Sequence, residues 1–321
     1  MHNSSNETAE MVEFFTPQET VIYNATTASL MVFGTLSNTA MIVFYIKRNK
    51  VKNHFNYCVV QLCVSNIVQY IGFIPYAFVD VRQTLQNASD VENHLFCTLK
   101  DGITVFFIAA FTSGYILCYM SYARYQIIKN PLKKFTYTLK RARRTIIGSW
   151  VLSFFLFIPN LFSLKWFSPD PYCSRTYPFG EQFFGWFAVI AFLAGFYLPL
   201  LFMSIAYIMT ICNLCCTRNQ IETNQVRIRH RRHILVVLGA LVFIFVLCWL
   251  PVSAIWLLSS TGYFDKTTVE GNILLTRFYK VMLEFALLAG VLNFISNVLA
   301  HLSHRRTSTR RKLLRYEMKA V

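Results

Sequence analysis

The groups in this chain that could do chemistry are its nine cysteines, seven histidines and fifteen Asp and Glu residues. Their spacing closes most options. A structural zinc site takes four Cys or His ligands, usually from two close pairs. The chain has one Cys-x-x-Cys, Cys212 to Cys215, with His230 and His233 as the nearest further ligands and no second cysteine pair. No metal is expected there. No catalytic constellation stands out and no cofactor pattern accompanies one, so the chain reads as a non-enzyme without cofactors. Two features stand apart: Arg124 at the end of a long apolar stretch, and Lys280 with Glu284 four residues on, at helical spacing. What these charges do depends on the elements that carry them.

Those elements are defined by where charge is missing. Charged residues make up only 14% of the 321 residues and hydrophobic ones 55%, whereas a soluble domain carries about a quarter charged. Disorder is excluded by the hydrophobicity, and low-complexity or collagen-like chains by the modest Pro and Gly counts of 9 and 12. Seven uncharged runs exceed eighteen residues: 20–46, 53–79, 102–123, 145–164, 182–217, 233–264 and 285–304. Roughly 20 helical residues cross a bilayer core. Only helices and closed barrels satisfy backbone polar groups there, and these runs are too long for barrel strands. The alternative, seven buried helices of a soluble core, does not suit so short a chain. The expected fold is an all-α membrane protein, a seven-helix bundle.

Charge also sets its direction. The connectors after spans one, three and five, with the segment after span seven, hold 24 of the 31 Lys and Arg but only two acids, Glu222 and Glu317. By the positive-inside bias this side is cytoplasmic and the N-terminus is extracellular. The formal net charge of +16 is thus +22 inside and −6 outside. The basic surface suits anionic inner-leaflet lipids and an acidic partner, and nucleic acid is the wrong inference from it. Four glycosylation sequons, at Asn3, Asn6, Asn24 and Asn87, all fall on the outer side. The first 19 residues lack the basic start and apolar stretch of a signal peptide, so the first span is expected to act as the membrane address. Cys97 and Cys173 are the only outer cysteines; the other seven lie in spans or at their cytoplasmic ends, where thiols stay reduced. A bridge between the two is expected, pinning the loop between spans four and five over the bundle's mouth.

Motifs inside the spans then narrow the class. Span six carries Phe245-x-x-Cys248-Trp249-Leu250-Pro251, and span five carries Phe196-x-x-Pro199 with Tyr207. Span three ends in Ala123-Arg124-Tyr125, followed by Pro131-Leu132. Span four has Trp150 and Pro159, span one Gly34 and Asn38, and span two Pro75. On these residues, from Asn24 to Arg315, the chain resembles the rhodopsin-like class of G-protein-coupled receptors. The resemblance implies a switch built from Phe245, Trp249, Pro251 and Pro199, and contact with a heterotrimeric G protein through Arg124, Tyr125 and Tyr207. A snorkelling cation is the plainer use of Arg124. Asn38, Asn66, Ser113 and Asn293 fall where the family lines a mid-membrane sodium and water site. All four are neutral here, and hard cations want carboxylates, so an amide network that also packs helices is expected instead.

Departures are equally plain. The family's D-R-Y reads Ala123-Arg124-Tyr125, its second-span acid is Asn66, and its N-P-x-x-Y reads Asn293-Phe294-Ile295-Ser296-Asn297. Arg231 stands where many members carry an acid that holds the arginine. Arg124 therefore lacks an acidic tether, which predicts raised ligand-independent signalling. The same changes keep open a non-signalling homologue acting as scaffold or scavenger.

The family's amine-binding acid position is Phe106, and the retinal lysine position is Leu287, so neither ligand class is expected. Pocket candidates are Phe106, Trp256, Tyr279 and Glu284, although Lys280 offers Glu284 a simple helical partner. The acidic outer face favours a cationic peptide ligand steered by its field, with a lipid or small organic ligand as the alternative. A seven-helix transporter or channel would want charges along an intramembrane path, which the uncharged runs do not supply. The expected organisation is a glycosylated tail over 1–21, the receptor bundle over 22–302 and a short basic cytoplasmic tail over 303–321. In that tail Arg305, Arg306, Arg310, Arg311, Lys312 and Arg315 interleave with Leu313 and Leu314, as in a helix lying on the inner leaflet. The expected location is the plasma membrane.

Overall fold

The structure is a computed structural model describing residues 16–78, 89, 91–93, 95, 97, 103–129, 138–162, 164–167, 172–175, 179–218, 225–260, 275–292 and 294–295. Side chains are described for these except 164–167, 172–175, 181, 214–218, 225–238, 241, 256 and 259–260.

All seven uncharged runs carry helix. Spans one to four are Pro17–Lys47, His54–Phe78, Thr104–Lys129 and Leu139–Phe157, the last running into a 3-10 turn at Ile158–Phe162. Span five is Glu181–Phe192, a π turn at Leu193–Tyr197, then Leu198–Arg218. Span six is Gln225–Ser260, and span seven covers 275–292. Among the described residues five of these are long and apolar enough to cross a membrane, and span six adds a shorter apolar stretch, Val242–Ile255. Large apolar side chains such as Val32, Phe33, Leu36, Ile147, Phe155, Leu201 and Ile208 point out of the bundle. In water that would be a liability; in lipid it is the solvent-facing surface.

Local chemistry fixes the helix ends. Thr16 caps span one in a reciprocal box with Glu19, with Pro17 at the first helical position. The inner end of span one closes with Asn49 in the left-handed region, at φ 50°. Pro75 and Pro251 sit inside helices, where each removes a backbone donor. Span three donates to two carbonyls in and just after the π turn of span five: Tyr115 Oη to that of Ala194 at 2.9 Å, and Cys118 Sγ to that of Pro199 at 3.3 Å.

Several helices run past the ends of their uncharged stretches, span seven furthest. Span seven begins at least ten residues before its uncharged run, so Arg277, Lys280 and Glu284 lie within its helix. Partners on span one accommodate them, as described below. The outer loop also contains a feature outside the all-helical expectation, a two-stranded antiparallel hairpin of Leu164–Phe167 and Tyr172–Arg175 with Trp166 opposite Cys173. Aromatic residues on both strands favour pairing there.

Span three is the axis of the bundle, buried through most of its length from Thr104 to Tyr125. Spans one, two and seven meet at Tyr70. Its ring presses on Gly34 of span one and Gly290 of span seven, so closely that a Cβ at either glycine would collide with it. Its hydroxyl donates to the Leu287 carbonyl at 3.1 Å. Small residues that admit a large neighbour are a common way to join helices in lipid.

Candidate functional site

The expected functional residues form three levels down the bundle axis. At the outer level, spans one and seven are tied by charge. Thr27 donates to Glu284 Oε1 at 2.9 Å, Arg277 lies 3.6 Å from Glu19, and the Lys280 ammonium sits 5.8 Å from the centroid of Tyr23. The Thr27 bond makes Glu284 a cross-helix group and not merely the companion of Lys280. Tyr279 is half-buried on the same helix. The side chain of Trp256 lies outside the described residues. Cys97 is fully buried and disulfide-bonded. The backbone of Cys173 lies in the second hairpin strand, and its side chain falls outside the described residues. Asn24 sits in the second turn of the first helix, whereas acceptor sequons work best on surface loops. Asn3, Asn6 and Asn87 lie outside the described residues.

The middle level is aromatic. Phe106, expected to line a pocket, is fully buried beneath other rings: Phe73 and Phe107 at 5.3 Å, Trp249 at 5.7 Å. Trp249 in turn lies 6.4 Å from Phe245, which stacks on Phe196 at 5.3 Å. A continuous series of rings therefore links the outer half of span three, through span six, to span five. Offset and edge contacts of this kind contribute about 0.5–1.5 kcal/mol each beyond their burial. Pro251 lies two residues beyond Trp249 inside the helix, and Pro199 lies just beyond the π turn that carries Phe196.

Just inside this layer are the neutral polar groups. Asn66 donates to Asn38 Oδ1 at 3.1 Å, and Asn38 donates to the carbonyls of Gly34 at 2.8 Å and Gly290 at 3.4 Å. Both amides are buried. Ser113 joins a neighbouring pair, its hydroxyl 2.7 Å from that of Ser65. Ser65 was not singled out in the sequence, although it precedes Asn66 directly. Asn293 lies outside the described residues. No carboxylate stands among these four described side chains, so they offer only neutral amide and hydroxyl oxygens, and that of Asn38 already accepts from Asn66.

At the inner level the guanidinium of Arg124 lies 3.7 Å from the centroid of the Phe55 ring on span two. That is a face-on cation–π contact. The sequence left Arg124 without a tether, and Phe55 supplies one. A lone phenylalanine at the start of span two carries no motif, so only the fold reveals this role. Tyr125 is buried, with the Lys129 ammonium 5.6 Å from its ring. Tyr207 packs its hydroxyl against Gly239 of span six, where a Cβ would stand 2.7 Å away. The side chains of Arg231 and Asn297 lie outside the described residues. No group of three or more His, Cys, Asp or Glu gathers as a metal site among the described residues.

Comparison with known proteins agrees with this arrangement. Residues 37–297 match the family described as 7 transmembrane receptor (rhodopsin family). Somatostatin receptor type 1 of Rattus norvegicus is 25% identical over 242 residues, covering 74% of this chain and 60% of that receptor. G-protein coupled receptor 182 of Mus musculus is 30% identical over 158 residues, covering 48% and 38% respectively. An ultraviolet-sensitive opsin of Melopsittacus undulatus is 24% identical over 233 residues, covering 69% and 64%. The chain thus spans less than two thirds of the length of each of these relatives. The family match covers the interior of the bundle from Ser37 to Asn297, ring series, amide pair and Arg124 included, and the chain belongs to the rhodopsin family of seven-transmembrane receptors.

Proposed function

We propose that this chain is a plasma-membrane receptor that binds an extracellular peptide and transmits the event to a heterotrimeric G protein. The observation that carries the reading is the unbroken ring series from Phe106 through Trp249 and Phe245 to Phe196. A ligand that presses on Phe106 from the outer side moves packed rings and not solvent, and the displacement reaches spans five and six. Close packing favours discrete rearrangements over gradual ones.

A peptide is favoured by the acidic outer surface and by the relatives named as somatostatin receptors. Within this reading Tyr279, Glu284 and Trp256 face the ligand, Phe106 receives its push, and Arg124, Tyr125 and Tyr207 meet the G protein. The glycosylated tail expected over 1–21, whose last five residues the first helix takes up, and the basic tail over 303–321 flank the receptor bundle, the basic tail resting on anionic lipid.

The test is nucleotide exchange by purified heterotrimeric G proteins, with the receptor in lipid discs and a library of extracellular peptides screened first by binding. A bound peptide that accelerates exchange supports the reading. Peptide binding with no exchange on any G-protein class would identify a scavenger, and no peptide binding would remove the ligand class.

A further inference from the structure

Span four carries a glycine that the protein's own packing does not require. A Cβ at Gly148 would meet nothing within 4 Å, and glycine is a poor helix former. The space beside it is a groove of about 310 Å3 facing out of the bundle, lined by Tyr115, Tyr119 and Tyr122 of span three, Gly148 and Leu152 of span four, and Phe202 of span five. Its polar atoms are turned to the protein. Tyr115 and Cys118 donate to carbonyls of span five, Ser149 donates to the Thr145 carbonyl at 2.9 Å, and Tyr122 accepts from Gln126 at 3.0 Å. The walls therefore present ring faces and methylenes, a surface for hydrocarbon.

The groove lies in the inner half of the bundle. Tyr122 stands two residues before Arg124, and Thr145 opens the uncharged run of span four. Arg141 and Arg144 precede Thr145 and Gly148 by four residues each, so they continue the same stripe about 6 Å towards the cytoplasm. Both are exposed, while Arg143 between them turns to the Tyr57 ring of span two at 5.7 Å. An apolar slot under a cationic lip, on the side the basic residues assign to the anionic leaflet, matches a ligand with a hydrocarbon chain and an acidic head. We infer that the groove between spans three, four and five seats one acidic phospholipid of the inner leaflet, its acyl chain against Gly148 and its headgroup on Arg141 and Arg144. This inference rests on membrane orientation and not on signalling, so either can fail without the other.

The test uses the full-length receptor in lipid discs of phosphatidylcholine containing phosphatidylserine with a photoactivatable group midway along one acyl chain. Crosslinks should map to peptides containing Leu152 or Phe202. Gly148→Leu, whose Cβ meets nothing within 4 Å, should occupy the slot and lower them roughly tenfold, in line with loss of apolar burial. Arg141→Gln with Arg144→Gln should lower retention of phosphatidylserine about 25-fold, each arginine at an anionic surface contributing about fivefold. The same pair should leave phosphatidylcholine crosslinking unchanged. Crosslinks confined to other faces, indifference to Gly148→Leu, equal retention of the two headgroups, or displacement by a sterol would each overturn the assignment.

Discussion

Replacing Phe55 by alanine is the most direct test of how this receptor holds its resting state. Arg124 lacks the neighbouring acid of its family, because that position is Ala123, whose side chain is 2% exposed within the helix packing. What faces the guanidinium instead is the Phe55 ring, 3.7 Å from centroid to carbon. A cation–π contact contributes about 0.5–1 kcal/mol when exposed and about 2 kcal/mol when desolvated. Arg124 is half-buried, so about 1–2 kcal/mol is a reasonable range between those limits. If G-protein binding draws the arginine off the ring, that contact stabilises only the resting state. Its loss should then raise the minor active population about five- to thirtyfold, since 1.4 kcal/mol is a factor of ten. Ligand-free nucleotide exchange at equal receptor concentration measures this. Phe55→Ala should be faster than the parent, and Phe55→Trp, with the better cation-binding face, should be slower. Ala123→Asp should also lower the rate by adding the missing acid. Equal rates in the parent and both Phe55 variants would refute the reasoning, because the contact would then be present in both states or energetically irrelevant.

Loss of the outer bridge by Cys97→Ser should reduce surface expression or ligand binding, and mass mapping of the unmodified receptor should recover Cys97 joined to Cys173; finding both thiols free would defeat this. Because Asn38 and Asn66 are neutral and bonded to each other, thermal stability should not respond to sodium when a bulky cation maintains ionic strength. Asn66→Asp should introduce a sodium-dependent rise, and a sodium response in the parent would contradict the amide reading. Gly290→Ala places a methyl group against the Tyr70 hydroxyl and should destabilise the bundle by about 1–3 kcal/mol, as overpacking does. Tyr70→Phe in that background should recover part of the loss, and a thermal midpoint unchanged by Gly290→Ala would show that Tyr70 yields easily.

The spans could be read from the sequence because lipid imposes a constraint that composition records directly: charge is absent where the chain crosses. The same rule misplaced the start of span seven, since Arg277, Lys280 and Glu284 enter the helix with partners on span one that no local pattern reveals. Trp249, Phe245 and Phe196 were legible as motif residues, and the structure adds that they touch. Phe55, Ser65 and Tyr70 were not legible, as each acts through a partner far away in the sequence. Ser65 and Tyr70 flank Asn66 on span two, so the helix face was visible even though the partners were not. The hairpin escaped notice because a short aromatic stretch reads equally as loop or strand.

The two kinds of helix contact in this bundle respond differently to sliding. Tyr70, with Asn38 and Asn66 just below it, binds spans one, two and seven through directional bonds and a ring wedged between two glycines. A shift of even 1 Å would lengthen those bonds beyond the usual hydrogen-bond distances. Phe196 and Phe245 meet across spans five and six as stacked rings, and offset ring pairs remain favourable over centroid separations from about 4.5 to 7 Å. The molecule thus resembles a mechanical bearing, with one side keyed to its housing and the other running on greased faces. Cytoplasmic opening in such a body falls to spans five and six, with the keyed side serving as the fixed reference against which they turn.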